Sequence, residues 1–517
     1  MAALITDEFR LFNADNFIES VTDPDNSYYI FVGLPNPVGE GYGRSEDWNN
    51  DPLAPIDNFS YIRSCYDWMM YGRRITPGNI RRVIRRVDWT KGTRYDQYRD
   101  DYSVYNVSPN SGSTRLYDTN YYVLNSDFRV YECLSNGSSG DNPKGNGSED
   151  EPNFVDTEPS AAGSSGDGYI WKYLFTVSPA DVIKFDSTEF ITVPSDWLTT
   201  DSPQIVSIRE SGDSTINDAQ LKEIYIDKRG SGYSGGAGQE LPILGDGTGA
   251  RAVVDVNSGQ ITKALVSKGG KGYTWGLVDL GSINSSASEA AKLDVIVPPS
   301  IGHGFDIYQE LGTDRVLVYA RFDDSTQDFP IDTQFAQIGI LRNPTTYNSG
   351  SVGAAFSGNT FTAADSLKLR PSYNGTLEVG DIIEQSTDDG IAKGYVISFN
   401  QDTQVIKYTQ DRSLYYNPPG KTNTDYVGIS TNGNQVSFVS NTNNITGPGF
   451  SGALDTDFTG STLTVGNRAV DLGVEFTKGV ARSEINKPSG EILYLDNRPL
   501  VTRNPRQKED VKIILEF

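Results

Sequence analysis

The chain has 517 residues, and its 68 acidic and 44 basic residues give a formal net charge of −24. This charge disfavours general nucleic-acid binding, which depends on Lys and Arg neutralising phosphates, and the two cysteines, in no paired motif, predict neither a disulfide framework nor a zinc site. No run of about 18 apolar residues occurs, so no membrane span is predicted, and the N-terminus lacks the apolar core of a secretory signal.

Short apolar runs separated by turn-forming residues favour a mainly β chain. A short helix is predicted over residues 13–21, and the aromatic and β-branched run 28–32 predicts a strand. Residues 33–57, rich in Gly, Pro and Asn, predict a long loop. Helical spacing then predicts a helix over residues 62–69, which Gly72 can end.

The stretch from residue 77 to residue 101 gathers basic residues in an otherwise acidic chain. They are Arg81, Arg82, Arg85, Arg86, Lys91, Arg94 and Arg99. Thr76 is a suitable N-cap and Pro77 a suitable first helical residue, so a helix is predicted to begin here. Its apolar face would be Ile80, Val83, Ile84 and Val87. Beyond Trp89 the helical spacing is lost, and an extended surface loop is predicted.

These arginines allow three interpretations. Arginine pairs bidentately with carboxylates as well as with phosphates, and the acidic surroundings disfavour nucleic acid. An internal ion-pair network and an interface with another acidic subunit both remain open. The candidate interface residues are Arg81, Arg82, Arg85, Arg86, Arg94 and Arg99. Exposed ion pairs contribute about 0–1 kcal/mol each, so reversing the first four charges is predicted to leave folding largely intact.

Four further strands are predicted in the first 200 residues, at 120–124, 128–134, 168–175 and 191–194. The Ser-, Gly- and Asp-rich stretch 135–166 predicts a mobile surface excursion.

The composition changes between residues 201 and 299, where strands are predicted at 222–226, 252–256 and 261–266. The phrase Gly-x-Gly-Tyr occurs at residues 230–233 and again at 270–273, which predicts an inserted β module with an internal repeat. The first copy belongs to a GxGxxG motif, formed by Gly230, Gly232 and Gly235. No good helix can begin after it, so tight turns are predicted rather than a dinucleotide site.

Strands are predicted at residues 315–321 and 335–341, where the composition is again that of the first 200 residues. Three runs between residues 380 and 408 have the spacing of a small barrel, and strands at 490–495 and 511–517 close the chain.

No catalytic residue, cofactor, small-molecule substrate or metal ligand is predicted. His303 is the sole histidine, which disfavours His-based triads and zinc sites with several His, and its position between two glycines predicts a turn residue. Acid pairs are too numerous to single one out as a glycosidase site. The Asp-rich phrases 23–26 and 455–457 lack the spacing of a calcium loop.

Several phrases, in this order along the chain, together resemble the baseplate wedge subunit of T-even-type contractile-tailed bacteriophages, the family of gene product eight. They are Tyr29-Ile-Phe-Val32, Gly43-Arg-Ser-Glu-Asp-Trp48, Trp68-Met-Met70, Val83-Ile-Arg-Arg-Val-Asp-Trp89, Gly92-Thr-Arg-Tyr95, Tyr131-Glu-Cys-Leu134, Gly166-Asp-Gly-Tyr-Ile-Trp-Lys-Tyr-Leu-Phe175 and Ser489-Gly-Glu-Ile-Leu-Tyr-Leu-Asp-Asn-Arg-Pro499. The resemblance covers roughly residues 5–200, 303–345 and 485–517.

The resemblance implies a layered β-sandwich with short helices in long loops, a homodimer that contacts other baseplate wedge subunits, and no catalysis. It also implies a place in the tail baseplate of the virion, after assembly in the host cytoplasm. The alternative is a receptor- or polysaccharide-binding phage tail protein, suggested by the Tyr, Trp, Asn and Gly of the insertions. The predicted parts are core 1–200, inserted β module 201–300, core 301–348, a second, barrel-like inserted module 349–482, and C-terminal core strands 483–517.

Overall fold

The computed structural model describes residues 4–34, 52–212, 220–284, 288–323, 329, 333–348, 353–410, 435–504 and 507–517. Strands hold 42% of the residues and helices 12%, which confirms the predicted mainly β fold. The chain forms two compact units. The first comprises Met1–Asn16, Arg81–Leu317 and Ile514–Phe517, and the second Phe17–Ile80 and Val318–Ile513. The division into a core with two inserted modules stays a prediction.

The α-helices of the described residues are α1 (Asp7–Thr22), α2 (Phe59–Trp68), α3 (Pro179–Phe185), α4 (Pro203–Gly212) and α5 (Ile307–Glu310). The helix predicted over 13–21 lies within α1. Helix α2 begins where the Asn58 side chain accepts a hydrogen bond from the Tyr61 N–H at 2.8 Å. No helix in the described part of the chain is long and apolar enough to cross a membrane.

The first seven strands are β1 (Tyr28–Gly33), β2 (Met69–Ile75), β3 (Ile80–Arg85), β4 (Tyr122–Leu124), β5 (Arg129–Asn136), β6 (Tyr169–Thr176) and β7 (Phe190–Thr192). Strand β2 follows α2 directly, so Gly72 lies inside a strand and does not end a helix. The loop predicted over 33–57, with the phrase at 43–48, lies mainly outside the described residues.

The helix predicted after Pro77 is wrong. Residues Pro77–Asn79 form a single 3₁₀ turn, and the chain then continues as strand β3. The apolar residues of this stretch are β-branched, which favours a strand, and Ile84 pairs with Ile191 of β7. Four apolar positions are too few for their spacing to outweigh that pairing.

Strands β4, β5 and β6 form a three-stranded antiparallel sheet in that order, at the positions predicted from the sequence. Its core includes the fully buried Trp171 and Trp197.

Two loop predictions need correction in this part of the chain. Residues 95–98 are buried, because Tyr95 packs edge-on against Trp171 with ring centroids 5.8 Å apart. In the stretch 135–166, Ser148 is also buried and accepts a hydrogen bond from Trp89 Nε1.

The next six strands form a sheet with its own hydrophobic cluster in the order β11-β10-β9-β12-β13-β8. They are β8 (Glu223–Lys228), β9 (Gln239–Gly245), β10 (Arg251–Asn257), β11 (Gln260–Lys268), β12 (Gly276–Val278) and β13 (Lys292–Ile296).

The glycines of the two Gly-x-Gly-Tyr phrases have similar φ angles. Both glycines of each phrase have positive φ, near 63° and 81° in the first copy and 63° and 76° in the second, where residues other than glycine are strained. Both tyrosines are buried, with their hydroxyl groups hydrogen-bonded: Ala291 N–H donates to Tyr233 at 2.8 Å, and Tyr273 donates to the Ile243 carbonyl at 3.0 Å. Strand β9, and not a helix, follows the GxGxxG motif.

The remaining strands are β14 (Arg315–Phe322), β15 (Gln334–Arg342), β16 (Thr360–Thr362), β17 (Asp365–Asn374), β18 (Ile382–Thr387), β19 (Gly390–Asn400), β20 (Val405–Thr409), β21 (Ile445–Gly447), β22 (Phe450–Leu454), β23 (Gly460–Val465), β24 (Arg468–Phe476), β25 (Val480–Ala481), β26 (Glu491–Thr502) and β27 (Glu509–Glu516). Strands β20-β19-β18-β21-β22-β17 follow one another in one sheet, and β17 also pairs with β20. This pairing closes the sheet into the barrel-like arrangement predicted from the sequence.

A second sheet of the second unit has the order β16-β2-β1-β15-β26. Phe361, Gly72, Phe31 and Gly339 are successive cross-strand partners in it, so rings and glycines alternate. A Cβ at Gly72 would overlap the Phe361 ring, and one at Gly339 would overlap the Phe31 ring. The glycines therefore provide the space in which the two buried rings lie.

Candidate functional site

The arginines of the basic stretch have partners within the first unit. Arg81 Nε lies 3.0 Å from Asp181 Oδ1. Arg82 pairs with Asp15 of α1, and its guanidinium lies 4.3 Å from the centroid of the Tyr308 ring. Burial lowers the pKa of Arg82.

Three more of these arginines are bound in the same unit. Arg85 donates to the Thr119 carbonyl at 2.8 Å. Arg86 lies 3.0 Å from Asp88 and 2.9 Å from Asp186, and the hydrogen bond to Asp88 is the main cause of its raised pKa. Arg99 binds Asp101 through two nitrogens, at 2.8 and 2.7 Å, and stacks 4.5 Å from the Tyr225 ring centroid.

Arg94 differs from the other five candidate residues, because its side chain is exposed and forms no ion pair among the described residues. The four arginines with ion pairs have only 13–21% of their side-chain surface exposed. Internal pairing is therefore present. A role of these residues in an interface between subunits stays a prediction.

The burial changes what we expect of charge reversal. Arg82→Glu would place a second carboxylate beside Asp15 and remove the contact with Tyr308, so we expect the free energy of unfolding to fall by about 2–3 kcal/mol. Arg94→Glu is the matched control and should change it by less than about 0.5 kcal/mol. Urea unfolding followed by circular dichroism measures both. Equal effects would contradict the internal role of Arg82.

A second group of charged residues lies inside the core of the same unit. Glu132 of β5 and Lys172 of β6 are direct cross-strand partners, and neither is exposed. His303 lies in the turn before α5 and is 2% exposed. Asp306 caps that helix by accepting from the Tyr308 N–H at 2.9 Å, which places the buried Glu310 beside the histidine.

The His303 ring lies between the two glutamates. Its Nδ1 is 2.8 Å from Glu310 Oε1 and 3.1 Å from Glu132 Oε2. The Gly304 N–H donates to Glu310 Oε2 at 2.6 Å. The Lys172 ammonium is directed elsewhere, donating to the Thr157 carbonyl at 2.9 Å and to a neighbouring serine.

Burial and mutual contact determine the ionisation of this group. Burial raises the pKa of Glu132, and the adjacent Glu310 carboxylate adds to the effect. Burial alone would also raise the pKa of Glu310, but the His303 hydrogen bond holds it below its usual value. Burial would lower the pKa of His303, yet the two carboxylates together raise it to about 9. Such a group can share protons internally or hold a cation.

Sequence reasoning found the basic stretch but missed this cluster. His303 is in a turn, as predicted, yet it is also buried and paired with two carboxylates. A signal was present in the strands themselves. Glu132 and Lys172 each stand in the middle of an apolar run, where a charged side chain is rare unless it is paired.

No protein-family model matches the chain. It is similar to a protein described as baseplate wedge protein gp8 of Enterobacteria phage T4, with 29% identity over 214 residues. The match covers 37% of this chain and 60% of that relative, which is less than two thirds of its length. The similarity confirms the resemblance of this chain to the baseplate wedge family of gene product eight.

Proposed function

We propose that the chain is a structural subunit of a baseplate wedge in a contractile phage tail, where it dimerises and bridges neighbouring wedge proteins. The similarity to the T4 baseplate wedge protein is the observation that carries this proposal. The subunit would act by position and contact, without catalysis, cofactor or small-molecule substrate. It would assemble in the host cytoplasm and reside in the virion tail.

The packing within each unit supports such a role. The sheet of β8 to β13 has its own hydrophobic cluster, and so does the barrel-like sheet that contains β17 and β20. Each of these sheets therefore packs around a core of its own. We propose that these sheets belong to two inserted modules, residues 201–300 and 349–482, which present additional surfaces to neighbouring subunits.

The dimer is tested by light scattering of the purified full chain. We expect twice the mass of the chain, because the resemblance implies a homodimer within each wedge. A strict monomer or a trimer over the concentration range tested would contradict the dimer.

Bridging is tested by co-expressing the chain with each of the other wedge proteins encoded by the same phage. A stoichiometric complex on size-exclusion chromatography is expected with at least one of them. A glycan array serves as the control for the alternative, a receptor- or polysaccharide-binding protein. Saturable glycan binding without any wedge complex would contradict the structural role.

A further inference from the structure

The buried cluster contains a carboxylate that lacks the partners it needs. Both oxygens of Glu132 are buried without a well-formed hydrogen bond among the described residues, and the His303 ring lies 3.1 Å from Oε2. His303 Nδ1 can direct only one hydrogen, and Glu310 lies closer to it, at 2.8 Å against 3.1 Å for Glu132. Buried polar groups are nearly always partnered, so the free oxygens of Glu132 require an explanation.

The ligand atoms of Glu132, His303 and Glu310 all lie within 4.8 Å of one another, and all three residues are buried. Zinc–ligand bonds of about 2.0–2.2 Å in a tetrahedral site place the ligand atoms about 3.4 Å apart. The present separations of 2.8 and 3.1 Å need only small side-chain rotations to reach that value.

We propose that Glu132, His303 and Glu310 form a buried structural site for one divalent transition-metal ion of the Zn²⁺ class. His303 Nδ1, Glu310 Oε1 and Glu132 Oε2 would each supply one ligand atom, and a water would take the fourth position. One imidazole and two carboxylates suit Zn²⁺ and related ions better than Mg²⁺, which prefers oxygen ligands and keeps several waters. The ion would give the buried carboxylate of Glu132 a partner.

The surroundings are consistent with a cation at this place. Two carboxylates balance the charge of a divalent ion, and the Lys172 ammonium is directed to the Thr157 carbonyl rather than to either glutamate. The Gly304 N–H holds Glu310 through its other oxygen, as outer hydrogen bonds commonly orient metal ligands.

The site would fix β5 to α5 and the turn before that helix, which are far from β5 in the sequence but belong to the same first unit. The ion would therefore stabilise the fold and take no part in a reaction. The sequence-based prediction of no metal rested on sites with several histidines, whereas this site uses one. The proposal goes beyond the baseplate function and does not depend on it.

The test uses the full chain, produced with and without ZnCl₂ in the growth medium, because an ion in a buried site is expected to enter as the chain folds. We expect one Zn²⁺ per chain by plasma mass spectrometry after dialysis, and a lower Tm in the metal-free preparation. MgCl₂ should not restore the Tm. The absence of stoichiometric Zn²⁺ from the zinc-grown protein would overturn the proposal and mean that the cluster shares protons instead.

Two variants locate the ion. Glu132→Gln should weaken Zn²⁺ binding by more than about 100-fold, since even outer-shell changes cost 10–100-fold. Glu158→Gln is the control, because its carboxylate is 63% exposed and pairs with Lys222. Unchanged binding by a folded Glu132→Gln variant would assign the ion to surface acids. If that variant does not fold, Co²⁺ absorption of the unaltered chain decides, and a spectrum equal to that of hydrated Co²⁺ would overturn the site.

Discussion

Replacing Arg503 by methionine is expected to lower the free energy of unfolding of the second unit by about 3–5 kcal/mol, the usual cost of leaving one member of a buried ion pair alone. The Arg503 side chain is fully buried, and its Nε and Nη2 each lie 3.0 Å from Glu509. It also donates to the Phe329 carbonyl at 3.0 Å, with its guanidinium 3.8 Å from that ring centroid. Methionine fills part of the space but leaves the Glu509 carboxylate unpaired.

Arg498→Met is the matched control, because Arg498 is 62% exposed and pairs with Asp496 in solvent. Loss of this exposed ion pair should lower the free energy of unfolding by less than about 1 kcal/mol. Urea unfolding of both variants, followed by circular dichroism, gives the comparison. Adding Glu509→Gln to the Arg503 variant should restore part of the stability. Equal losses in the two single variants would show that burial of the Arg503 pair does not matter.

Gly72→Ala is expected to lower the free energy of unfolding by about 3 kcal/mol, which is the upper part of the range for overpacking a core. The added methyl group would overlap the Phe361 ring, which is fully buried. Gly78→Ala is the control in the same unit, since its nearest neighbour would be Thr76 Oγ1 at 3.8 Å, and it should be neutral or stabilising by up to about 1 kcal/mol. Thermal unfolding measures both.

A double-mutant cycle tests the cause of this effect. Phe361→Ala alone should lower the free energy of unfolding by about 3–5 kcal/mol, because it leaves a cavity in the core. In the double variant the methyl group added at position 72 enters the space that the ring vacated, so the combined loss should be about 1–3 kcal/mol smaller than the sum. Additive losses would show that the ring and the glycine are not coupled.

The sequence predicted the elements that are determined by neighbouring residues, and it did not predict those that depend on pairing between distant segments. Strands β1, β5 and β6 followed from dense aromatic and β-branched runs, which disfavour helix wherever they occur. The error at β3 arose because its apolar spacing also fits a helix, and pairing with β7 decided the outcome. The alternation of Phe361, Gly72, Phe31 and Gly339 joins four separate segments, and no local pattern reveals such a register.

The candidate sites show the same limit. The basic stretch was visible as a local excess of arginine, but the acids that pair with it, such as Asp15 and Asp181, could not be chosen from 68 acidic residues. The buried cluster is formed by β5, β6, α5 and the turn before that helix. Each charged residue could have been noticed in its own segment, but their convergence depends on the tertiary fold.

The internal pairing of the basic stretch has a consequence for assembly. Arg81, Arg82, Arg86 and Arg99 are neutralised by the chain's own carboxylates, so the excess of 24 negative charges belongs to other residues. This net charge opposes the association of copies of the chain, over a screening length of about 8 Å at physiological ionic strength and about 30 Å at 0.01 M. Association between copies should strengthen as salt is added to a dilute buffer, whereas a complex held by exposed arginines would weaken.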